Sequence, residues 1–167
     1  MRRVRSTDTT PERKVRSLLH SLGFRFRVHR KDLPGRPDLV LPKYSTLIFV
    51  HGCFWHRHPR CPRATTPATR QDYWLPKFER TMERDRRNQK ELRRLGWNVI
   101  VVWECELHDL ERLAKRLTSA ITAQHGLYSQ DAPAVQMAAE AQETYRSSQD
   151  QGHLSNSGWR EKEDVDK

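Results

Sequence analysis

The fold is decided by one stretch of the sequence, TLIFVHGCFWH at residues 46–56. Its first half is apolar and β-branched, which predicts a buried strand over residues 46–50. The segment DLVL at residues 38–41 predicts a second strand, and the short turn between them favours a hairpin. The second half, HGCFWH, opens a loop rich in His, Pro, Arg and Cys that extends to about residue 69. Such a long loop in a compact domain is usually functional or held by other groups.

Helices and two further strands are predicted on either side of this stretch. A capping sequence and an apolar stripe predict a helix over residues 9–23, and alternating apolar and basic side chains predict an edge strand at 24–29. A long charged helix is expected at 72–95, the strongest strand signal lies at 98–103, and an amphipathic helix spans 107–121. This order predicts an α/β fold, with a sheet flanked by helices.

The composition changes near residue 125. Gln, Ser, Ala, Asp and Glu dominate the remaining sequence, which has few large aliphatic residues. A segment of that kind buries too little apolar surface to offset the entropy lost on ordering. We therefore expect a domain at residues 1–124 and a polar, disordered tail at 125–167, with a weak helix near 134–145.

The chain is strongly basic, with a formal net charge of +10. Clustered cationic side chains bind polyanions by releasing counterions from phosphates, so the charge indicates a nucleic-acid partner. It leaves open DNA or RNA, an enzyme or a binding module, and a merely solvated basic surface. No apolar run approaches the ~20 residues that span a bilayer, and no apolar segment follows the charged N-terminus. We expect a cytosolic protein without a signal peptide.

Three cysteines and one histidine have the spacing of a metal site. Cys53, His58 and Cys61 form a C-x4-H-x2-C arrangement, and Cys105 follows the strand predicted at 98–103. A Cys3His set suits structural zinc, which would pin the long loop to the end of that strand. The alternative is that Cys105 is a buried core thiol. All the cysteines of the chain fall in the one proposed site, which favours the metal.

A single carboxylate and two histidines are candidates for hydrolytic chemistry. Asp38 opens a strand, where a carboxylate can bind Mg²⁺ or simply end a turn. Many nucleases carry a second carboxylate and a lysine about a dozen residues later, but this chain has Phe49-Val50-His51 there. A main-chain carbonyl near Val50, water and phosphate would have to complete the coordination. His51 and His56 can supply the acid and base functions, although His56 and His58 could exchange roles.

Aromatic residues lie between and beyond these histidines. Phe54 and Trp55 are candidates for wedges that open a base step, and Trp74 could join them or pack in the core. Arginines 80, 84, 86 and 87 of the charged helix are natural phosphate contacts, or a solvated helix face.

These residues make the chain resemble the very short patch repair (Vsr) mismatch endonucleases of bacteria. The similarity covers about residues 1–120. It rests on RSTDT with Glu12, LPGRPD at 33–38, VHGCFWH at 50–56, ERD at 83–85, and GW followed by WEC at 96–105. The resemblance implies a restriction-endonuclease-like fold, a central mixed sheet flanked by helices with a structural zinc loop. It also implies a Mg²⁺-dependent nick 5′ of the mispaired thymine at T:G mismatches, which arise when 5-methylcytosine deaminates.

The resemblance also assigns roles by position. Asp38 would bind Mg²⁺ with the main-chain carbonyl of Val50, His51 and His56 would be catalytic, and Glu12 would support His56. The zinc ligands would be Cys53, His58, Cys61 and Cys105, and the intercalating aromatics Phe54, Trp55 and Trp74. The expected partners are double-stranded DNA with a T:G mismatch, a cytosine-5 DNA methyltransferase and the mismatch-repair machinery, for a monomer that contacts no membrane. The tail has no counterpart in this resemblance.

Two other functions fit the residues. One is a zinc-stabilised DNA-binding module without catalysis, which the missing second carboxylate and lysine keep open. The other is a restriction-type nuclease that cuts both strands of matched duplex.

Overall fold

The computed structural model describes residues 7–28 and 30–128 of the chain. The N-terminal residues of the RSTDT stretch, the weak helix expected near 134–145 and nearly all of the expected tail lie outside them. The described elements are α1 (Thr10–Ser21), β1 (Arg27–Val28), β2 (Leu39–Leu41), a 3-10 turn (Pro42–Tyr44), β3 (Thr46–His51), α2 (Gln71–Arg94), β4 (Asn98–Trp103), a second 3-10 turn (Glu104–His108) and α3 (Leu110–Tyr128).

The four strands form one mixed sheet in the order β1-β2-β3-β4. β2 and β3 are the predicted antiparallel hairpin, with Leu39 opposite Ile48. β3 and β4 run parallel over six residue pairs, from Thr46 opposite Asn98 to His51 opposite Trp103. Parallel neighbours need a long crossover, and the long loop and α2 supply it. The predicted α/β class with a mixed sheet is confirmed.

Helices cover both faces of the sheet because strand side chains alternate between the faces. On one face, α1 and α3 bury Leu19 and Leu117 against Ile48 of β3. On the other face, Leu92 near the end of α2 packs with Leu47 and neighbouring residues. The long loop after β3 and the 3-10 turn after β4 therefore both begin at strand ends that are packed between helices on the two faces of the sheet.

Most predicted elements match the structure to within two residues at each end, and two differ by three residues or more. The edge strand expected at 24–29 is reduced to Arg27–Val28, because the Phe24 amide bonds the Leu19 carbonyl at 3.0 Å and continues the end of α1. Phe24 is buried in the core rather than exposed on an edge. The last helix begins at Leu110, since Leu107 belongs to the preceding 3-10 turn. Among the described helices, none is both long and apolar enough to cross a bilayer.

Candidate active site and metal centre

Asp38 lies where β2 begins, beside the end of β3. Its Oδ2 accepts a hydrogen bond of 2.7 Å from the amide of Val50. In an extended strand the N–H and C=O of one residue point to the same side, so the Val50 carbonyl also faces the Asp38 side of β3. The structure thus brings together the carboxylate and the main-chain group that the sequence pairs. Oxygen atoms of these two kinds are ligands that Mg²⁺ accepts.

His51 ends β3 and is buried against a second imidazole. Its ring stacks on that of His56, with centroids 3.8 Å apart and planes 13° from parallel. Burial, followed by the nearby His56, lowers the pKa of His51 to about 4. His51 is therefore a neutral imidazole near pH 7, able to donate one hydrogen bond and accept another.

His56 has a carboxylate partner that the sequence did not identify. Its Nδ1 lies 2.6 Å from Oδ2 of Asp85, which belongs to α2. Burial alone would raise the pKa of Asp85, but the hydrogen bond and charge of His56, with His51 and Arg84 nearby, lower it overall. An ionised carboxylate on Nδ1 favours the tautomer in which Nε2 is free to accept a proton.

Asp85 escaped assignment because it lies 29 residues from His56 in sequence. Its only sequence signal is the ERD stretch of the resemblance, an acidic residue within a helix rich in cations. The helix pattern alone does not specify which residue of α2 faces the loop. His51, His56 and Asp85 offer ligand or proton-accepting atoms within 4.8 Å of one another.

Glu12 lies in the first turn of α1. Its carboxylate accepts hydrogen bonds from the Asp8 amide at 2.9 Å and the Thr9 hydroxyl at 2.7 Å, and it pairs with Arg16 at 3.2 Å. These contacts cap the helix, as the Thr-x-x-Glu spacing favours. The role expected for Glu12 in supporting His56 stays a prediction, since the hydrogen-bonded carboxylate at His56 is that of Asp85.

The four expected zinc ligands meet in one cluster. Ligand atoms of Cys53, His58, Cys61 and Cys105 lie within 4.8 Å of one another. Nδ1 of His58 is 3.7 Å from the Cys53 sulfur and 3.3 Å from that of Cys105. Ligands of a tetrahedral zinc ion are roughly 3.5–3.8 Å apart, so the donor set and spacing fit the ion. His58 rather than His56 thus belongs to this cluster.

The thiols of the cluster differ in how readily they ionise: a backbone hydrogen bond from Arg63 lowers the pKa of Cys61, whereas the other two thiols are shifted the opposite way. Burial raises the pKa of the Cys53 thiol to about 12, and burial also raises the pKa of Cys105. Without a positive charge nearby, these groups stay protonated at neutral pH. A metal ion would supply that charge and release the protons on binding.

The aromatic residues form a partly exposed cluster over the start of α2. The Phe54 ring is 5.0 Å from Trp55 and 5.6 Å from Trp74 between centroids. Trp74 also stacks on buried Phe78, so it both packs and faces outward. Trp55 is 38% exposed and Tyr73, beside Trp74, is 45% exposed. A surface with neighbouring exposed aromatic rings is typical of one that inserts into or stacks on a partner.

Cations surround this cluster at residues to which the sequence assigned no role. The Lys77 ammonium lies 5.4 Å from the Trp55 ring centroid and bonds the Tyr73 hydroxyl at 3.1 Å. Arg57 lies 4.5 Å over Phe78, donates to the Thr65 carbonyl and the Thr66 hydroxyl, and so ties the loop to α2. Cations over aromatic faces suit a negatively charged, stacking partner.

The chain is similar to DNA-nicking enzymes of known families. Residues 1–63 match the family model described as DNA mismatch endonuclease Vsr. The type II nicking enzyme V.XorIIP of Xanthomonas oryzae pv. oryzae is 54% identical over 121 residues, covering 72% of this chain and 88% of that protein. The DNA mismatch endonuclease Vsr of Escherichia coli is 48% identical over 113 residues, 68% of this chain and 72% of that protein. V.NmeAIP of Neisseria meningitidis, also a type II nicking enzyme, is 42% identical over 128 residues, with coverages of 72% and 91%.

Proposed function

Because the chain belongs to the Vsr family of DNA mismatch endonucleases, we propose that it nicks one strand of duplex DNA 5′ of the mispaired thymine at T:G mismatches. The reaction is Mg²⁺-dependent and initiates very short patch repair where 5-methylcytosine has deaminated. The observation that carries the proposal is the joint presence of Asp38, the pair of stacked imidazoles with Asp85, and the exposed aromatic cluster.

Hydrolysis of a phosphodiester needs proton removal from water and stabilisation of charge on the phosphate. We assign proton removal to Nε2 of His56, because Asp85 orients its ring through Nδ1. Neutral His51, with its low pKa, is assigned a hydrogen bond to a phosphate oxygen. The water oxygen then bonds to phosphorus as its proton passes to Nε2 of His56, the bond to the leaving oxygen breaks, and that oxygen takes a proton from a second water while His56 returns its own proton to solvent. Mg²⁺ held by the Asp38 carboxylate and the Val50 carbonyl would stabilise the negative charge that develops on the phosphate.

Mismatch selectivity would come from the aromatic cluster. Apolar side chains that enter a base step must overcome stacking, which costs a few kcal/mol and least at a mismatched pair. Phe54, Trp55 and Trp74 are assigned this insertion, with Lys77 contributing positive charge beside the opened step. Zinc at Cys53, His58, Cys61 and Cys105 would hold the loop from which Phe54 and Trp55 project.

The remaining expectations belong to the same proposal. The mixed sheet with helices on both faces is consistent with a restriction-endonuclease-like fold. Residues 1–124 would carry the endonuclease and 125–167 would be a tail outside it. The chain would act as a monomer in the bacterial cytoplasm, in association with a cytosine-5 DNA methyltransferase and the mismatch-repair machinery.

The test is a strand-nicking assay on T:G and matched duplexes of one sequence, with and without Mg²⁺. We expect a nick only in the T:G duplex, only in the strand that carries the mispaired thymine, and only with Mg²⁺. Asp38→Ala should abolish nicking while zinc content and folding persist. Cleavage of both strands of matched duplex would favour the restriction-type nuclease. Mismatch binding without cleavage under any divalent cation would favour the non-catalytic module.

A further inference from the structure

One side chain contacts both the metal cluster and the candidate active site. Trp103 ends β4 directly opposite His51, which ends β3. Its indole packs edge-on against the His51 ring, with centroids 5.4 Å apart and planes at 78°. Its other contact is flat: the His58 ring lies parallel to it at 4.2 Å and 10°.

These contacts belong to a continuous row of rings. His58, a member of the cysteine cluster, stacks on Trp103, and Trp103 abuts His51. His51 stacks on His56, whose Nδ1 bonds Asp85. Closely packed side chains transmit small displacements because no void absorbs them. A change at the indole can therefore reach the His51 ring, which also contacts Phe49 at a centroid distance of 5.9 Å, and through it the His56 ring that stacks on it.

The main chain at Trp103 is held independently of its ring. The Trp103 amide donates to Oε2 of Glu106 at 2.8 Å, and Arg116 binds the same carboxylate at 3.0 Å. Arg116 also donates to the Val101 carbonyl on the exposed edge of β4. Removing the indole thus leaves strand register and the position of Cys105 supported by other groups.

We propose that Trp103 is a positioning residue. Its indole rests on the His58 ring of the zinc-binding loop and sets the orientation of His51 and, through it, of His56. The zinc cluster then serves catalysis as well as folding, because it fixes the ring on which the indole rests. The inference rests on the proposed nicking function only for its kinetic readout.

The kinetic test compares Trp103→Leu, Trp103→Phe and Trp97→Leu in the zinc-bound full chain. Trp97 precedes β4 at its other end and packs in the core beneath α2, so it controls for loss of a large aromatic residue. Misplacing a catalytic group by about 1 Å can cost about 100-fold in rate. We expect Trp103→Leu to lower kcat for T:G nicking about 10- to 100-fold with KM and zinc content unchanged. Trp103→Phe should keep most of kcat, and Trp97→Leu should lower thermal stability but not kcat at temperatures where the variant is folded.

A structural readout separates this inference from the proposed function. In a crystal structure of Trp103→Leu, or of Trp103→Met should the leucine variant not fold, the imidazoles of His51 and His56 should be displaced around an unchanged Cys53, His58, Cys61 and Cys105 cluster, whereas Trp103→Phe should keep their positions. In the leucine or methionine variant, imidazoles that superpose on those of the unchanged chain would overturn the inference, as would a kcat loss no larger than that of Trp97→Leu. A chain that nicks no duplex refutes the proposed function, and the imidazole positions still decide the role of Trp103.

Discussion

At the residue scale, proton transfer depends on the contact between His56 and Asp85. Replacing Asp85 with Asn removes the negative charge and lets an amide face Nδ1, which no longer selects the tautomer with an accepting Nε2. Orientation of an imidazole base by a carboxylate commonly contributes about 10²–10⁴-fold to a rate. We expect Asp85→Asn to lower the single-turnover nicking rate by that range, with DNA affinity little changed.

Glu12 provides the matched control for this change. Glu12→Gln is also a buried carboxylate-to-amide substitution, but its contacts cap α1. A glutamine keeps an accepting oxygen for the cap but loses the ion pair with Arg16, which costs up to about 1 kcal/mol of stability. Glu12→Gln should therefore lower the melting temperature slightly and slow nicking far less than Asp85→Asn, and any rate loss that remains at equal stability measures the predicted support of His56 by Glu12. Equal rate losses in the two variants, at equal stability, would show that Glu12 supports His56 as strongly as Asp85 does.

Asp38 and Asp85 show which site residues could be predicted from the sequence and which could not. Asp38, Cys53 and His58 come from segments whose spacing constrains them, and the structure brings each beside its expected partners. Asp85 comes from a helix that is charged on most sides, so its phase relative to the loop depends on tertiary packing. Pattern identifies such a residue only when the packing partner of the helix is known.

At the element scale, the turn before Asp38 is fixed by its contact with α2. Pro34 and Gly35 occupy the central positions of a turn closed by the Arg36 amide and the Leu33 carbonyl, and Gly35 has φ +73°. A Cβ on Gly35 would lie 2.8 Å from Nδ2 of Asn88 and 3.0 Å from its Cβ. The loop therefore approaches α2 more closely than a side chain permits.

Gly35→Ala tests this approach against Gly23→Ala. Both glycines have positive φ, but nothing lies within 4 Å of a Cβ built at Gly23. The shared backbone strain costs about 1 kcal/mol, and forced contact with Asn88 adds about 1–3 kcal/mol. We expect urea denaturation to show the larger loss for Gly35→Ala, together with slower nicking because Asp38 is displaced. Equal losses of stability and unchanged nicking in both variants would refute the close-approach argument.

The strands differ in how far their sequence determined them. β4 was predicted residue for residue, because a β-branched run between Trp97 and Trp103 has no competing structure. β1 was predicted too long, because alternation at residues 24–29 does not reveal that the Phe24 amide remains bonded to α1. Local pattern is decisive where a strand packs against helices on both faces, as β4 does with Val102 on one face and the partly buried Val101 on the other. It is weak where backbone bonds to a neighbouring element compete.

At the scale of the whole molecule, the cluster of Cys53, His58, Cys61 and Cys105 brings the long loop to the end of the central sheet, since Cys53 and Cys105 lie on opposite sides of α2 in the sequence. A ligand present at about 1,000 times its Kd stabilises the folded state by about 4 kcal/mol, or roughly 10–20 °C in Tm for a domain of this size. We expect His58→Gln to lose zinc and to melt lower by that amount, with the exposed His20→Gln as the matched control. Zinc content is measured by metal analysis and Tm by calorimetry. Both measurements use a buffer that contains Mg²⁺ and no chelator, so that only zinc binding differs between the variants. A variant that keeps the full Tm without zinc would show that the core alone holds the loop, and would remove the basis for coupling the metal to the imidazoles.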